Sequence, residues 1–374
     1  MSGRRLRVLF LIEKAIESGG AERFAVGLIT HLPRDRFEPW LCTTRHADPA
    51  TARALDDAGI RQVHLGRRAK WDVHRLAGLV ELLRRERFDV LHAHMFGSNF
   101  WGSVVGRACK VPVVIAHEQT WSYEDDRLRL WVDGRVIGRL ATCFVAVSAA
   151  DAERMIELEG VPAEKVVQLP NAYIPRPDHS TSDLRAELGL GRRTPLVGTV
   201  AVLRPQKALT VLVDAHARLL ERVPDAHLTI AGEGECRAQI EQRIHRLGVA
   251  RSVHLLGLRR DVDAIVGAID VAAMSSDFEG LPLFGLECMA NHTPLVATAV
   301  GGLPEIVDHG RTGLLVPRRD PAALADAIAD LLIDPARRER MAVAADERLS
   351  AFTIDAVAAR FAELYERLSA EARR

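Results

Sequence analysis

The chain lacks three features that would narrow its function at once: excess charge of one sign, paired cysteines and long apolar runs. Lysine plus arginine equals aspartate plus glutamate, 50 against 50, so the overall charge gives no indication of nucleic-acid binding. The five cysteines include no C-x-x-C pair and fall mostly in apolar runs, which favours reduced core residues. No apolar stretch reaches the roughly 18–20 residues of a membrane span. The short run after MSGRR meets Glu13 at once and has no cleavage site, so it predicts a buried strand rather than a signal peptide.

What the chain does have is a regular alternation of short apolar segments with amphipathic ones. Apolar segments such as VPVVIA and ATCFVAV show no strict alternation, which predicts parallel strands covered on both faces. Predicted strands lie at 6–12, 38–43, 60–65, 90–93, 113–117, 143–147, 166–169, 196–202, 227–231, 253–256, 271–274 and 294–298. Predicted helices lie at 22–32, 50–57, 72–87, 98–109, 127–140, 149–159, 208–222, 237–247, 283–290, 321–333, 335–349 and 353–369.

The alternation is interrupted once, which predicts two domains. With 374 residues the chain fits two domains of roughly 150–200 residues each. The segment PNAYIPRPDHSTSD at 170–183 is rich in Pro, Ser, Thr and Asp and has no apolar period, so we interpret it as the linker. We therefore expect an N-terminal domain at 1–172 and a C-terminal domain at 173–352.

Two glutamates stand eight positions apart in SSDFEGLPLFGLECMA at 275–290. The apolar run before this segment predicts a buried strand, and the part from Leu283 predicts a helix. Glu279 then lies in a strand-to-helix loop, and Glu287 lies about one turn into the helix. In open α/β sheets ligands bind beyond the strand ends, close to helix N-termini that attract anions. One carboxylate can accept hydrogen bonds from a hydroxyl-rich group and the other from a ribose, which suits a nucleotide-sugar.

The same region resembles the C-terminal domain of the family 4 retaining glycosyltransferases (glycosyltransferase group 1). The resemblance rests on an ordered set of motifs, EGLPLFGLE, PLVAT, GGLPEIV and GLLV. A Glu-x7-Glu by itself would carry little weight, because any charged helix can contain one. The resemblance implies an α/β protein of the GT-B fold, with two doubly wound, Rossmann-like domains facing a central cleft. It also implies that the last helix, within 353–374, packs back on the first domain.

The resemblance assigns roles within the C-terminal domain. It implies that Glu279 contacts the hydroxyls of the donor sugar and that Glu287 holds the ribose. The backbone N–H groups at Leu283 and Phe284 would face the diphosphate. Base recognition in such folds is often through the backbone, which points to the region of Leu258.

A basic loop follows the first strand of the C-terminal domain. Arg204 and Lys207 would stabilise the charge that develops on the departing nucleoside diphosphate, together with a helix dipole and without a metal. The alternative is a solvated loop with two ordinary surface charges. Many relatives carry arginine where this chain has Val202, so Arg204 fills that role only if the loop presents it. The glycine that often follows the lysine is Ala208 here.

The N-terminal domain contributes a glycine pair and histidines at strand ends. Gly19 and Gly20 precede a helix; taken alone they indicate an ordinary turn, but family 4 enzymes carry a Gly-Gly loop here that touches the donor phosphates. His117 ends a strand and matches the active-site histidine of that family. His92 and His94 end the preceding strand, and we expect one of them to pack inside and the other to face the cleft. No further ligand has a spacing suited to a zinc site.

Three aromatic residues, Trp71, Trp121 and Tyr123, lie in segments that follow strands of the first domain, where acceptor specificity would be set. They could stack on a sugar ring or anchor a loop, and the sequence does not separate these roles.

The sequence as a whole predicts a cytoplasmic, metal-independent, retaining hexosyltransferase that needs no cofactor besides its nucleotide-diphosphate sugar. The acceptor would be a glycan, a glycolipid, including a lipid-linked sugar, or a small molecule, with at most peripheral contact to the inner face of a membrane and no nucleic-acid partner. One alternative is another GT-B enzyme, such as a nucleotide-sugar epimerase or a phosphorylase, although nothing resembles a pyridoxal-phosphate lysine site. Another is a catalytically silent sugar-nucleotide binding protein. The absence of a G-x-G-x-x-G motif gives no support to a nicotinamide cofactor.

Overall fold

The structure, a computed structural model, describes residues 4–16, 19–69, 72–119, 126–176 and 183–374. The contacts within the chain divide it into two compact units. Unit 1 comprises Met1–Ile174 with Phe352–Arg374, and unit 2 comprises Pro175–Ala351. The division therefore falls two residues beyond the predicted boundary. Of the predicted linker, residues 177–182 lie outside the described residues.

Unit 1 is built on a parallel sheet of seven strands. Its strands are β1 (Leu6–Ala15), β2 (Phe37–Ala47), β3 (Arg61–His64), β4 (Val90–His94), β5 (Val113–His117), β6 (Cys143–Ala146) and β7 (Val166–Gln168). They are arranged in the order β3-β2-β1-β4-β5-β6-β7. Every residue of β4 and β5 is buried, as expected for strands that are covered on both faces.

Helices on both faces of this sheet bury apolar clusters against it. The helices are α1 (Gly20–His31), α2 (Pro49–Asp57), α3 (Ala77–Glu86), α4 (Phe96–Ala108), α5 (Arg127–Val132), α6 (Gly138–Leu140) and α7 (Ala149–Arg154). Short 3-10 segments at Val73–Leu76 and Ala163–Lys165 and π-helical segments at Asp133–Ile137 and Met155–Glu159 complete the connections. Ser148 caps α7 by accepting from the N–H of Asp151.

Unit 2 repeats the design with a parallel sheet of six strands. They are β8 (Leu196–Val200), β9 (His227–Ala231), β10 (Val253–Gly257), β11 (Val271–Met274), β12 (Leu295–Thr298) and β13 (Gly313–Val316), in the order β10-β9-β8-β11-β12-β13. Its helices are α8 (Leu184–Glu187), α9 (Leu209–Arg222), α10 (Arg237–Leu247), α11 (Val262–Ala268), α12 (Leu283–Ala290), α13 (Leu303–Ile306), α14 (Pro321–Ile333) and α15 (Pro335–Leu349). A 3-10 turn at Pro205–Lys207 follows β8, and another at Ser350–Phe352 follows α15.

The last helix, α16 (Ile354–Glu371), belongs to unit 1. Thr353 caps it by accepting from the N–H of Ala356. Its buried residues recur every three or four positions, and Phe361 and Tyr365 enter the apolar cluster on one face of the unit 1 sheet. The end of the chain therefore helps to build the core of the domain with which the chain begins.

In both sheets the strand order reverses once, between β1 and β4 in unit 1 and between β8 and β11 in unit 2. Such points in doubly wound sheets open a crevice at the carboxyl ends of the two strands, where ligands bind. The prediction of two doubly wound parallel-sheet domains is confirmed. Within the described ranges, no helix combines the length and the apolar composition needed to cross a membrane.

Candidate active site

The loops that leave the two central strands of unit 2 bring a lysine and a glutamate together. Lys207 follows β8, Glu279 follows β11, and the lysine Nζ donates to Oε1 of the glutamate at 2.6 Å. The hydroxyl of Ser276 donates to the same oxygen at 2.5 Å. The Glu279 side chain is 5% exposed and the Lys207 side chain 19%. The second carboxylate oxygen of Glu279 accepts no hydrogen bond from the part of the chain that the structure describes, so it is the oxygen that a ligand hydroxyl could use.

The backbone of the lysine loop is tied to the glutamate loop. The hydroxyl of Ser275 donates to the carbonyls of Lys207, at 2.9 Å, and Ala208, at 3.1 Å. The N–H of Asp277 donates to the carbonyl of Gln206 at 2.8 Å. These hydrogen bonds join the two strand-to-helix loops. The geometry of the Lys207–Glu279 ion pair therefore depends on both loops.

Ala208 has a left-handed backbone conformation, with φ +44°. This agrees with the glycine that the family resemblance implies at this position, since glycine enters that region without a steric penalty. The chain keeps the same turn with alanine, and helix α9 begins at the next residue.

Gly301, in the GGLPEIV motif, supports the glutamate from behind. Its φ is +53°, and a Cβ at this position would lie 1.7 Å from the carbonyl oxygen of Glu279. The N–H of Gly302 donates to the carbonyl of Gly280 at 2.7 Å. The glycine pair thus lets the backbone that precedes α13 lie directly against the loop that carries Glu279.

Glu287 lies on α12 and is buried, and its partner was not predicted. Arg176 Nη2 donates to Glu287 Oε1 at 3.0 Å, and the two side chains are 14% and 5% exposed. Arg176 comes from the segment interpreted as linker, where nothing in the sequence distinguishes it from an ordinary surface arginine. The predicted ribose acceptor is therefore held by a cation.

The remaining predicted residues of unit 2 lie at loop and helix ends. Leu283 and Phe284 are the first two residues of α12, so their N–H groups belong to the unpaired helix N-terminus. Leu258 follows β10 and is 67% exposed, and its part in base recognition stays a prediction. Arg204 is exposed, and its side chain forms no hydrogen bond or ion pair with a described residue, while the nearby Val202 is 44% exposed.

In unit 1 the glycine pair leads into α1. Gly19 is the N-cap residue of this helix and Gly20 its first residue. Among the described residues no side chain forms an N-cap hydrogen bond with this helix, and the carboxylate of Glu22, in its first turn, lies close to Gly19. Phe24, one turn further on, is fully buried and its ring lies 5.5 Å from that of His117.

His117 ends β5 and is held through its backbone by Asn99. The Asn99 Oδ1 accepts from the His117 N–H, and its Nδ2 donates to the His117 carbonyl, both at 3.1 Å. The N–H of Met95 donates to the same carbonyl at 2.9 Å. The imidazole is fully buried, and its Nε2 makes no hydrogen bond with a described residue.

His92 and His94 lie beside His117, and the expectation that one packs while the other faces the cleft was wrong. Both are buried, and their rings are 4.1 Å apart between centroids. The reason is the period of a strand, in which residues i and i+2 point to the same face. Nε2 of His92 lies 3.2 Å from Nδ1 of His117, and Nδ1 of His94 lies 3.0 Å from the Gln119 amide nitrogen.

Burial controls the ionisation of this histidine group. Desolvation lowers the pKa of His94 to about 3 and lowers the pKa values of His92 and His117 well below the usual range, with the neighbouring histidines adding to the effect. All three are neutral near pH 7. Among the described residues, they are also the one group of three His, Cys, Asp or Glu side chains that could hold a metal ion by distance. Their ligand atoms lie within 4.8 Å of one another. The sequence did not predict this grouping, because its members come from different strands.

The chain beyond His117 buries an acidic group that was also not predicted. Glu118 Oε2 lies 3.5 Å from Arg129, whose Nε lies 3.6 Å from Asp133. Burial, with Glu118 and Glu159 nearby, raises the pKa of Asp133 to about 9. The proposed acceptor residues Trp71, Trp121 and Tyr123 lie outside the described residues, so they stay predictions.

Comparison with known proteins identifies the family in both halves of the chain. Residues 18–175 match the family described as Glycosyltransferase Family 4, and residues 180–348 match Glycosyl transferases group 1. The D-inositol 3-phosphate glycosyltransferase of Corynebacterium glutamicum (strain R) is 28% identical over 93% of this chain and 92% of its own length. The alpha-D-kanosaminyltransferase of Streptomyces kanamyceticus is 30% identical over 70% of this chain and 72% of its own length.

The fold is also found in solved structures. The crystal structure of Anabaena Alr3699/HepE in complex with UDP-glucose superposes with a TM-score of 0.82 at 24% identity, covering 97% of this chain and 100% of that one. Both sequence relatives are named as glycosyl-transferring enzymes, and their alignments extend over most of the chain. The chain is therefore a glycosyltransferase of the GT-B fold and belongs to the family 4, group 1 glycosyltransferases.

Proposed function

We propose that the protein transfers a hexose from a nucleoside-diphosphate sugar to a hydroxyl of a ring-shaped polyol or sugar, with retention of the anomeric configuration and without a metal ion. UDP-glucose is the first donor to test, because HepE was solved with that ligand. A cyclic polyol phosphate is the first acceptor to test, because the C. glutamicum relative is named for D-inositol 3-phosphate.

The observation that carries this proposal is the pairing of Lys207 with Glu279 at the reversal point of the unit 2 sheet. One buried carboxylate and one cation lie where a doubly wound sheet binds ligands. A carboxylate accepts hydrogen bonds from sugar hydroxyls, and an ammonium stabilises a phosphate anion. A nucleoside-diphosphate sugar presents both groups a few bonds apart.

The reaction needs stabilisation of the departing diphosphate. As the glycosidic bond breaks, negative charge develops on the phosphate oxygen that leaves the anomeric carbon. Lys207 can stabilise this charge by exchanging its hydrogen bond to Glu279 for one to the phosphate. The N-terminus of α12 adds the positive end of a helix dipole. Arg204, exposed and unpaired among the described residues, would add a second cation.

The donor nucleoside would be held through its ribose. Glu287 is buried on α12 and forms an ion pair with Arg176. A charged acceptor of this kind binds a ribose diol more strongly than a neutral one does. Retention, the donor phosphate contacts of Gly19 and Gly20, base recognition at Leu258, and the action of His117 on the donor sugar are parts of this proposal that rest on the family resemblance.

The proposal is tested by a panel of nucleoside-diphosphate sugars. A cognate donor stabilises the folded protein by mass action, by about 2.7 kcal/mol at one hundred times its Kd, and this appears as a higher Tm. The donor that stabilises is then incubated with inositol phosphates and simple sugars, and the anomeric configuration of the product is read by proton NMR. Stabilisation by no donor in the panel, or an inverted product, would contradict the proposal.

A further inference from the structure

A chain of hydrogen bonds connects the last helix to His117. The hydroxyl of Tyr365, on α16, lies 2.7 Å from Nδ1 of His92. Nε2 of His92 lies 3.2 Å from Nδ1 of His117, and the two ring planes are 3° from parallel. Tyr365, His92 and His117 are all fully buried. These contacts join three side chains that the sequence separates by up to 273 positions.

The direction of these hydrogen bonds follows from the tyrosine. Within the described residues its hydroxyl has one hydrogen-bond partner, Nδ1 of His92. A buried O–H without an acceptor is unfavourable, and we therefore assign the hydroxyl as the donor to this nitrogen. A neutral imidazole carries one proton, which must then be on Nε2 of His92. That N–H donates to Nδ1 of His117, and the proton of His117 is consequently on its Nε2.

The opposite direction is less favourable. If His117 donated from Nδ1 to His92, then Nδ1 of His92 would donate to the tyrosine oxygen. The tyrosine proton would be left without an acceptor among the described residues, while Nε2 of His117 would present a lone pair. Each direction leaves one proton without a partner among the described residues, on Nε2 of His117 in the first and on the tyrosine hydroxyl in the second. The first direction is favoured because its unpaired proton lies at the end of β5, where an oxygen of the proposed ligand can accept it, whereas the tyrosine hydroxyl belongs to a residue of the apolar cluster.

The same contacts argue against a metal in this group. Both nitrogens of His92 are engaged, and Nδ1 of His94 and Nδ1 of His117 also have partners. The ring nitrogens without a partner in the described part of the chain are Nε2 of His94 and Nε2 of His117. Two nitrogens are fewer than a zinc site needs.

We infer that Tyr365 is a positioning residue that acts through His92 to keep His117 in the tautomer whose Nε2 carries the proton. His117 is thereby a hydrogen-bond donor, suited to a hydroxyl oxygen of the sugar, and not an acceptor. This inference rests on the proposed function for the identity of the ligand, but the tautomer itself is a property of the free protein. It also gives α16 a role in the chemistry of unit 1 in addition to its place in the core.

The tautomer is tested directly by long-range proton–nitrogen correlation NMR of protein labelled on histidine. The signals of His92 and His117 are assigned from the variants His92→Asn and His117→Asn. We expect both rings in wild-type protein as the tautomer protonated on Nε2. We expect Tyr365→Phe, which removes only the hydroxyl, to give His92 and His117 a mixture of tautomers. A wild-type His117 protonated on Nδ1, or unchanged signals in Tyr365→Phe, would overturn the inference.

Kinetics provide a second test with a matched control. Tyr365→Phe should lower kcat about tenfold, the effect of one hydrogen bond, with little change in the donor KM. Ser369→Ala is the control, since its hydroxyl is buried on the same helix and has no hydrogen-bond partner among the described residues. It should leave kcat unchanged. An equal loss in both variants would show a structural effect of the helix and contradict the inference.

A double variant separates this inference from the proposed function. If Tyr365 acts through His92, adding Tyr365→Phe to His92→Asn should lower kcat no further, whereas independent roles would give additive losses and overturn the inference. The proposed role of His117 fails separately, if His117→Asn keeps full activity while the NMR spectrum shows the expected tautomer.

Discussion

Nζ of Lys207 lies 2.6 Å from Oε1 of Glu279, although the two residues are 72 positions apart in the chain. Both residues follow strands at the reversal point of one sheet, and neither is positioned by its own loop alone. The buried carboxylate is neutralised by the cation that a diphosphate would attract. Donor binding would therefore exchange one ion pair for another, which limits the cost of removing the lysine from its partner.

Removing this lysine should impair both binding and turnover. We expect Lys207→Ala to lower kcat about 100- to 1,000-fold, the usual cost of losing one group that stabilises transition-state charge. Initial rates with the cognate donor measure the effect. Arg251→Ala is a suitable control, because this exposed arginine precedes β10 at the opposite end of the sheet. A kcat within twofold of wild type would remove Lys207 from the catalytic site.

Loss of Glu287 should weaken nucleotide binding only through the lost contact with the ribose. We expect Glu287→Ala to reduce the binding free energy of the cognate nucleoside diphosphate by about 1.5–3 kcal/mol, because a hydroxyl pair loses its charged acceptor. Isothermal titration measures this change. The matched control is the 2′-deoxy nucleotide, for which the variant and wild type should differ much less. Equal losses for both nucleotides would place Glu287 away from the 2′-hydroxyl.

Donor turnover should survive chelation. The diphosphate charge is assigned to Lys207, Arg204 and a helix N-terminus, none of which needs a divalent ion. Activity is to be measured after exhaustive treatment with EDTA and again after addition of magnesium or manganese. A loss that one of these ions restores would contradict the metal-independent assignment.

Gly301 should be far more sensitive to alanine than a glycine with open surroundings. Gly310 also has a positive φ, +83°, but a Cβ there would meet nothing within 4 Å. We expect Gly310→Ala to cost about 1–2 kcal/mol of unfolding free energy, the penalty of the left-handed conformation. Gly301→Ala should cost at least about 3 kcal/mol and also lower kcat, because the carbonyl of Glu279 must move. Urea unfolding and initial rates measure both effects, and similar values for the two variants would contradict this account.

The stability of unit 1 should fall in acid because of its buried histidines. Burial lowers the pKa of His94 to about 3, below the value of 6.5 expected for an unfolded chain. Between these values the unfolded chain binds the proton and the folded chain does not, so stability is present above pH 6.5 and is lost as the pH falls towards 3. Each such histidine contributes a slope of about 1.4 kcal/mol per pH unit.

The variant His94→Gln should have a correspondingly shallower dependence. Urea unfolding at several values between pH 4.5 and 7.5 measures the slope for wild type and variant. His46→Gln changes an exposed histidine of the same unit and serves as the control. If His94→Gln and wild type have the same slope, the imidazole of His94 is not held neutral by burial.

The sequence by itself was sufficient to predict the alternation of strands and helices. Apolar runs and amphipathic segments recur with periods that local physics imposes, so the two doubly wound sheets could be predicted before any contact was known. Two short elements were missed: β13 has only four residues, most of them buried, and α11 has only seven residues, which is too short for its helical period to be recognised. The positions of Glu279, Lys207 and His117 at strand ends could also be predicted, since a strand end is a local feature.

The tertiary structure decided which of these side chains have partners. Arg176 beside Glu287, Gly301 behind Glu279 and Tyr365 on His92 join parts of the chain between 22 and 273 positions apart, and no local pattern encodes such pairs. The strand order of each sheet brings the loops together, and the sequence shows only the loops. The ionisation of the histidines was also decided by the tertiary structure. Their lowered pKa values arise from burial among residues of three strands and the last helix. Local periodicity therefore determined the elements, and the three-dimensional packing determined the chemistry of their ends.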